Sequence, residues 1–255
     1  MAPMDAIGVV ITRPRAAAEA LAAELTARGA RPFVFPALAI EELPWSARME
    51  ATLSTLASAT WAIFVSANAV EMGVAAARRL GPWPLSVRVA AIGEATAQAL
   101  HADGFDAVLA PQERHDSDAL LELPELQHVA GQRIVIIRGE GGRERLKEAL
   151  ESRGASVDYL ECYRRVRPAN DPALLLDAWR RGQIDAVSVL SGETLDNFLA
   201  MIGDEGARLA AKTPLAVPHE AIGRHRGASR FARVVVTGPG TPALIGALRS
   251  LKAAA

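Results

Sequence analysis

Apolar residues along the chain gather in short continuous runs separated by longer mixed stretches. The runs at 7–12, 32–35, 61–65, 87–92, 107–109, 133–137, 157–160, 186–190, 214–217 and 233–236 are rich in Val, Ile, Leu, Ala and Phe. Most lack strict alternation, the pattern of strands buried on both faces. Helical spacing fills the gaps. Over 15–28, Ala18, Leu21, Ala22 and Leu25 form one stripe and Gly29 supplies a C-terminal stop. Over 143–153, Leu146, Ala149 and Leu150 do the same before Gly154. Strands alternating with helices predict an α/β fold with mainly parallel sheets flanked by helices.

The pattern also repeats. A shift of 125 residues carries Arg13 onto Arg138, each read as following an apolar strand, and carries Leu21 and Leu25 onto Leu146 and Leu150. It superposes Arg-Gly-Ala at 28–30 on the same triplet at 153–155, Ser66 on Ser191, and Ile92 on Val217, without a gap. Punctuation that agrees at one offset over this span predicts two copies of a half-protein, hence two similar lobes. The polar or Pro-containing stretches 41–45 and 163–172 are the expected connections. A two-lobed α/β protein with two crossings is expected to bind its ligand in a cleft between the lobes.

Composition narrows the class. At 255 residues the chain lies between one and two domains, and 50% apolar content is ample for a sizeable core. Aromatics are only 5%, which fits helices packed on sheets and not an aromatic-rich sandwich. A formal net charge of −1 argues against a general nucleic-acid binder. Cys162 is the single cysteine, so the chain has no intrachain disulfide and no thiolate zinc cluster. The opening residues lack a basic segment followed by an apolar run, and no stretch approaches the ~20 apolar residues that span a bilayer. The expectation is a cytoplasmic protein without a membrane partner.

Chemistry is expected where strands end and helices begin, because free N–H groups and the positive helix end collect anions there. Five turns carry small or polar residues: Thr12-Arg13-Pro14, Ser66-Ala67-Asn68, Gly93-Glu94-Ala95-Thr96, Arg138-Gly139-Glu140-Gly141-Gly142 and Ser191-Gly192-Glu193. Together they would make an anion-receptive rim; singly, each polar residue also serves as a helix cap. The glycine-rich turn lacks the Lys-Ser/Thr of a P-loop and a full GxGxxG, so it reads as backbone able to approach a carboxylate. Basic residues cluster at Arg164, Arg165 and Arg167, and again at Arg224, Arg226, Arg230 and Arg233. These either attract an acidic small molecule or form a solvated face. Tyr163, flanked by arginines, is either a proton donor whose phenolate the cations favour or a structural tyrosine. The histidines make no metal site: His219 and His225 are six apart, and His115-Asp116-Ser117-Asp118 reads as a loop. There is no GxSxG elbow.

The ordered set VVITRPR at 9–15, IFVSANAVE at 63–71, AIGEATAQAL at 91–100, RGEGGRERLKEAL at 138–150 and LECYRR at 160–165 resembles the uroporphyrinogen-III synthase family over essentially the whole chain. The resemblance implies two α/β lobes joined by a two-stranded connection, one of them discontinuous. Mapped here, these are 1–38 plus 170–255, and 42–163, with 39–41 and 164–169 as connecting segments. It implies a lyase that closes the linear tetrapyrrole hydroxymethylbilane to uroporphyrinogen III. Water is lost to give an azafulvene, and a spiro-pyrrolenine inverts the last pyrrole. No metal or organic cofactor takes part, and a monomer is expected.

By resemblance Tyr163 matches the candidate acid, Thr96 the threonine of an IGxxTA-like motif, and Ser66 the serine of a TS or VS motif. Arg13, Asn68, Arg138, Gly139, Ser191, Gly192 and His219 complete the expected substrate-binding set. One departure stands out. The second lobe of the family offers another IGxxT-like turn, but here the shift places Ala221 opposite Thr96, so His219 or backbone N–H groups would have to serve. The duplicated fold alone equally permits a non-catalytic two-lobed small-ligand sensor.

Overall fold

The computed structural model describes residues 7–114 and 116–253; His115 lies outside the described residues. The chain divides into two compact units, Met1–Ala39 with Val166–Ala255, and Ile40–Arg165. Elements are numbered in chain order.

The first unit holds a five-stranded sheet of β1 (Gly8–Ile11), β2 (Arg31–Val34), β9 (Ala186–Ser188), β10 (Leu215–Val217) and β11 (Val234–Val236). Their spatial order is β11-β10-β9-β1-β2, and every neighbouring pair is parallel. Helices α1 (Arg15–Thr26), α7 (Ala173–Arg180), α8 (Gly192–Ala210), α9 (Glu220–Gly223) and α10 (Thr241–Ala253) accompany it. Val9, Ile11, Ala186 and Ala216 enter a core with α1 and α10. Val10, Val187, Leu215 and Val217 enter another with α7 and α8. A sheet covered on both faces needs apolar residues at every strand position, so these runs do not alternate.

The second unit holds β3 (Ala39–Glu42), β4 (Trp61–Phe64), β5 (Arg88–Ala91), β6 (Val108–Leu109), β7 (Arg133–Gly139) and β8 (Ser156–Val166), ordered β3-β8-β7-β4-β5-β6. The pairs β4–β5, β4–β7, β5–β6 and β7–β8 are parallel. Helices α2 (Ala47–Ser54), α3 (Ala67–Arg78), α4 (Glu94–Ala102), α5 (Ser117–Glu122) and α6 (Arg145–Ser152) belong to it. Its cores again take alternate strand residues, Ala62 and Phe64 on one face and Trp61 and Ile63 on the other.

The 125-residue shift maps the two sheets onto each other. It carries the starts of β1, β2 and β4 onto those of β7, β8 and β9, and it carries β5 and β6 onto β10 and β11. The order β11-β10-β9-β1-β2 thereby becomes β6-β5-β4-β7-β8. Each sheet takes its first two equivalent strands from one half of the sequence and its other three from the other half. The two halves of the chain are exchanged between the two sheets.

The stretch 41–45 begins inside β3, and 163–172 begins as the end of β8 and holds the division between the units after Arg165. Two expectations need correction. Arg138 lies within β7, whereas Arg13 lies beyond the end of β1. Ser117 and Asp118 belong to α5, with Asp116 as its cap accepting from Ala119 N at 2.8 Å, so they are not loop.

Candidate active site

In each sheet the strand order reverses direction once, between β9 and β1 in the first unit and between β4 and β7 in the second. At such a switch point the connections leave on opposite faces and open a crevice at the carboxyl ends of the strands. In the second unit a cavity of about 420 Å³ lies there. Val65 and Ile92 after β4 and β5, the turn Arg138–Arg143, and Tyr159, Tyr163 and Arg165 of β8 line it.

Tyr163 reaches the crevice through an irregularity in β8. The β7–β8 register pairs Arg138 with Glu161 but Gly139 with Tyr163, leaving Cys162 as an extra residue. Strict alternation would put Tyr163 on the face of Tyr159; the extra residue turns it instead into the core shared with Leu160, Cys162 and α3. There the Tyr163 hydroxyl meets Ser66 Oγ at 2.9 Å. Ser66 is the N-cap of α3, accepting from Ala69 N at 3.0 Å. With that lone pair engaged, Ser66 can donate to the phenol oxygen and leave the phenol hydrogen for a ligand. Tyr163 is only 4% exposed, and it lines the cavity.

Arg138, 5% exposed, is spent on its own turn. Its Nε donates to Gly139 O at 3.2 Å, its Nη1 to Glu144 Oε1 at 3.2 Å, and its Nη2 to Gly141 O. The guanidinium also stacks 4.3 Å from the centre of the Tyr159 ring. Tyr159 in turn donates to Glu144 Oε2 at 2.7 Å. That bond, followed by Arg138, holds the Glu144 carboxyl below its usual range, while burial and then Glu144 push the Tyr159 phenol up. Arg138, Tyr159 and Glu144 thus clasp the turn containing Gly141 and Gly142, whose φ values of 69° and 108° only glycine takes readily. Sequence reasoning missed Tyr159 and Glu144, since their value lies in meeting Arg138 and no motif marks that.

The remaining expected residues divide by unit. Asn68 stands in the first turn of α3, partly buried. Thr96 is 4% exposed in the first turn of α4, on the core side. In the first unit, Arg13 follows β1 at the switch point, partly buried, and its Nε has no hydrogen-bond partner. Burial lowers its pKa. Ser191 caps α8 by accepting from Thr194 N at 3.1 Å. Gly192 opens that helix under the His225 imidazole: a Cβ there would lie 2.7 Å from His225 Cδ2. His219 is exposed at the start of α9 and makes no side-chain cap. His225, whose spacing from His219 carries no signal in the sequence, accepts from Gly227 N at 3.2 Å and faces Asp196 at 3.4 Å. Among the described residues no group of three or more His, Cys, Asp or Glu could hold a metal, and no helix is long and apolar enough to cross a membrane.

Fold and rim define a class, a duplicated, doubly wound α/β protein with polar turns at each switch point. Residues 19–245 match the model of the family described as Uroporphyrinogen-III synthase HemD, and the chain belongs to that family. It is 40% identical over 200 residues to the uroporphyrinogen-III synthase of Salmonella typhimurium, covering 76% of this chain and 80% of that protein. It is 34% identical over 197 residues to the Escherichia coli protein of the same name, covering 77% and 80%. Its fold is similar to that of a mutant uroporphyrinogen III synthase from the extremely thermophilic bacterium Thermus thermophilus, with TM-score 0.63 and 24% identity over 97% of this chain and 100% of that one. A Helicobacter pylori uroporphyrinogen-III synthetase shares the fold at TM-score 0.61 and 12% identity, covering 96% and 99%.

Proposed function

We propose that this chain is a uroporphyrinogen-III synthase, a cyclising lyase that converts hydroxymethylbilane to uroporphyrinogen III with inversion of the last pyrrole. The observation that carries the chemical part is the Tyr163–Ser66 hydroxyl pair at 2.9 Å on the switch-point cavity. Loss of the substrate hydroxyl needs a proton at the leaving oxygen, and the Tyr163 hydroxyl supplies it. As the proton leaves, the Ser66 hydroxyl donates to the phenolate oxygen. Water departs and an azafulvene remains. Attack on it gives the spiro-pyrrolenine, whose cleavage and reclosure invert the ring. The hydrogen lost from the pyrrole carbon at final closure restores the phenol, so the cycle is proton-neutral.

The substrate is a polycarboxylate, and the two units answer it differently. The second offers Tyr163, the clasped glycine turn and Arg143 on the cavity wall; the first offers Arg13 and the N-terminal N–H groups of α8. Because the substrate also cyclises unaided without inversion, most of the work is to hold the chain where its last ring can turn over. The reading includes a monomer acting in the cytoplasm without a cofactor. Family membership favours this enzyme over a non-catalytic sensor. The test is to supply the purified chain with hydroxymethylbilane and separate the product isomers. Formation of the type III isomer supports the reading; type I product alone, at the rate without protein, overturns it.

A further inference from the structure

The sequence offers Gly139 as a glycine whose backbone can approach a carboxylate. The structure gives another reason for it. Its φ is not in the left-handed region, so conformation does not demand glycine. Space does. A Cβ built on Gly139 would lie 2.5 Å from Tyr163 Cε2, 2.8 Å from Cζ and 3.0 Å from Cδ2. Real Cβ atoms essentially never approach ring carbons that closely, and the atoms met belong to a ring that is itself buried. The Cδ2–Cε2–Cζ edge of the Tyr163 ring stands where a Gly139 side chain would be, held by the register shift that sets these residues opposite each other and by Glu140 N donating to Tyr163 O at 2.6 Å.

The duplication supplies an internal comparison. The 125-residue shift carries Pro14 onto Gly139 and Leu38 onto Tyr163. In the other copy of this turn neither the glycine nor the tyrosine is present, although Arg13 and Arg138 correspond and both turns open a helix. The missing side chain therefore accompanies the tyrosine and is not required by the turn.

We infer that Gly139 is a positioning residue for Tyr163: its missing side chain is the space that lets the phenol reach Ser66 and the cavity. The inference rests on the acid role proposed for Tyr163. A double-mutant cycle on the full chain tests it, with Gly139→Ala, Tyr163→Phe and the pair compared for kcat and KM.

Tyr163→Phe is expected to lower kcat about 100-fold, the scale of a lost general acid. Gly139→Ala is expected to lower kcat comparably with KM within about twofold, and the pair to be no slower than Tyr163→Phe alone, within about twofold. Additive losses mean that Gly139 acts through something other than the phenol, which overturns the inference while leaving the acid role standing. If Tyr163→Phe leaves kcat unchanged, the acid role and the inference fall together. Should Gly139→Ala not fold, adding Tyr163→Leu, the residue at this place in the other copy, must restore the melting transition; failure to do so overturns the inference.

Discussion

Arg13 and Arg138 show how little a residue's type and spacing say about its task. They are equivalent in the repeat, and in the sequence both read as candidate anion ligands. In the structure Arg138 is consumed by Gly139, Gly141, Glu144 and the Tyr159 ring, whereas the Nε of Arg13 has no partner. A buried Nε without a partner is a cost carried by the fold, and a carboxylate of the substrate would offset it. Arg13→Gln is therefore expected to raise KM about tenfold, the scale of one charge-assisted hydrogen bond, without lowering the melting temperature. Steady-state kinetics and thermal melts on the same preparation check both halves. A fall in melting temperature with unchanged KM would make Arg13 structural. Tyr163 was legible as a residue of interest from its arginine neighbours, but its partnership with Ser66 was not. That depends on one extra residue in β8, and a strand without strict alternation gives no sign of where its register slips.

The elements were more readable than the contacts between them. All ten predicted strands exist; in β1, β4, β7, β9 and β10 burial on both faces leaves a continuous apolar run, and the partly exposed β2, β6 and β11 keep apolar runs as well. The strand that went unseen, β3, reads Ala-Ile-Glu-Glu at the edge of its sheet, where one side faces water and the apolar signal fades.

The clasp between β7, β8 and the start of α6 was equally invisible, and it predicts a pH response. Glu144 titrates below its ordinary value of 4.5 in the folded state, chiefly through the Tyr159 hydrogen bond. Its contribution to stability is therefore full above that ordinary value and is lost as pH falls through the lowered one. Tyr159 has the opposite sense: its raised value adds stability that is full below 10.0 and lost as pH rises through the folded value. Tyr159→Phe should thus melt lower than the parent between these limits, with the gap closing in acid. Melting curves over a pH series check this, and a gap that does not change with pH would contradict it.

At the scale of the whole molecule, the duplication was plain in the residue spacing, whereas the discontinuous lobe was expected only from the family resemblance. An offset reports which segments are alike, but pairing of β1 with β9 and of β4 with β7 joins segments from different copies. A cut between the repeats therefore separates strands that belong to one sheet. Fragment 1–127 should fail to fold, since β1 and β2 lose β9 while β4 loses β7; fragment 39–166 contains a whole sheet and should show a cooperative melt. Circular dichroism of the two fragments decides, and a folded 1–127 would show that the exchanged arrangement is not needed.

Exchange of the halves also gives the equivalent strands of the two sheets the same order, with a capping serine at each switch point, Ser66 and Ser191, but different neighbours: Tyr163 and Gly139 in one, and Arg13 with an unpartnered Nε in the other. In the proposed reading the first set moves a proton and the second holds a carboxylate. The central claim is that this molecule controls which way the last pyrrole closes. The most direct measurement is a time course of product isomers from hydroxymethylbilane, with and without the purified chain. The account predicts that the type III isomer appears faster than the unaided reaction makes type I and dominates the product. Product that is type I alone, formed at the unaided rate, would contradict it.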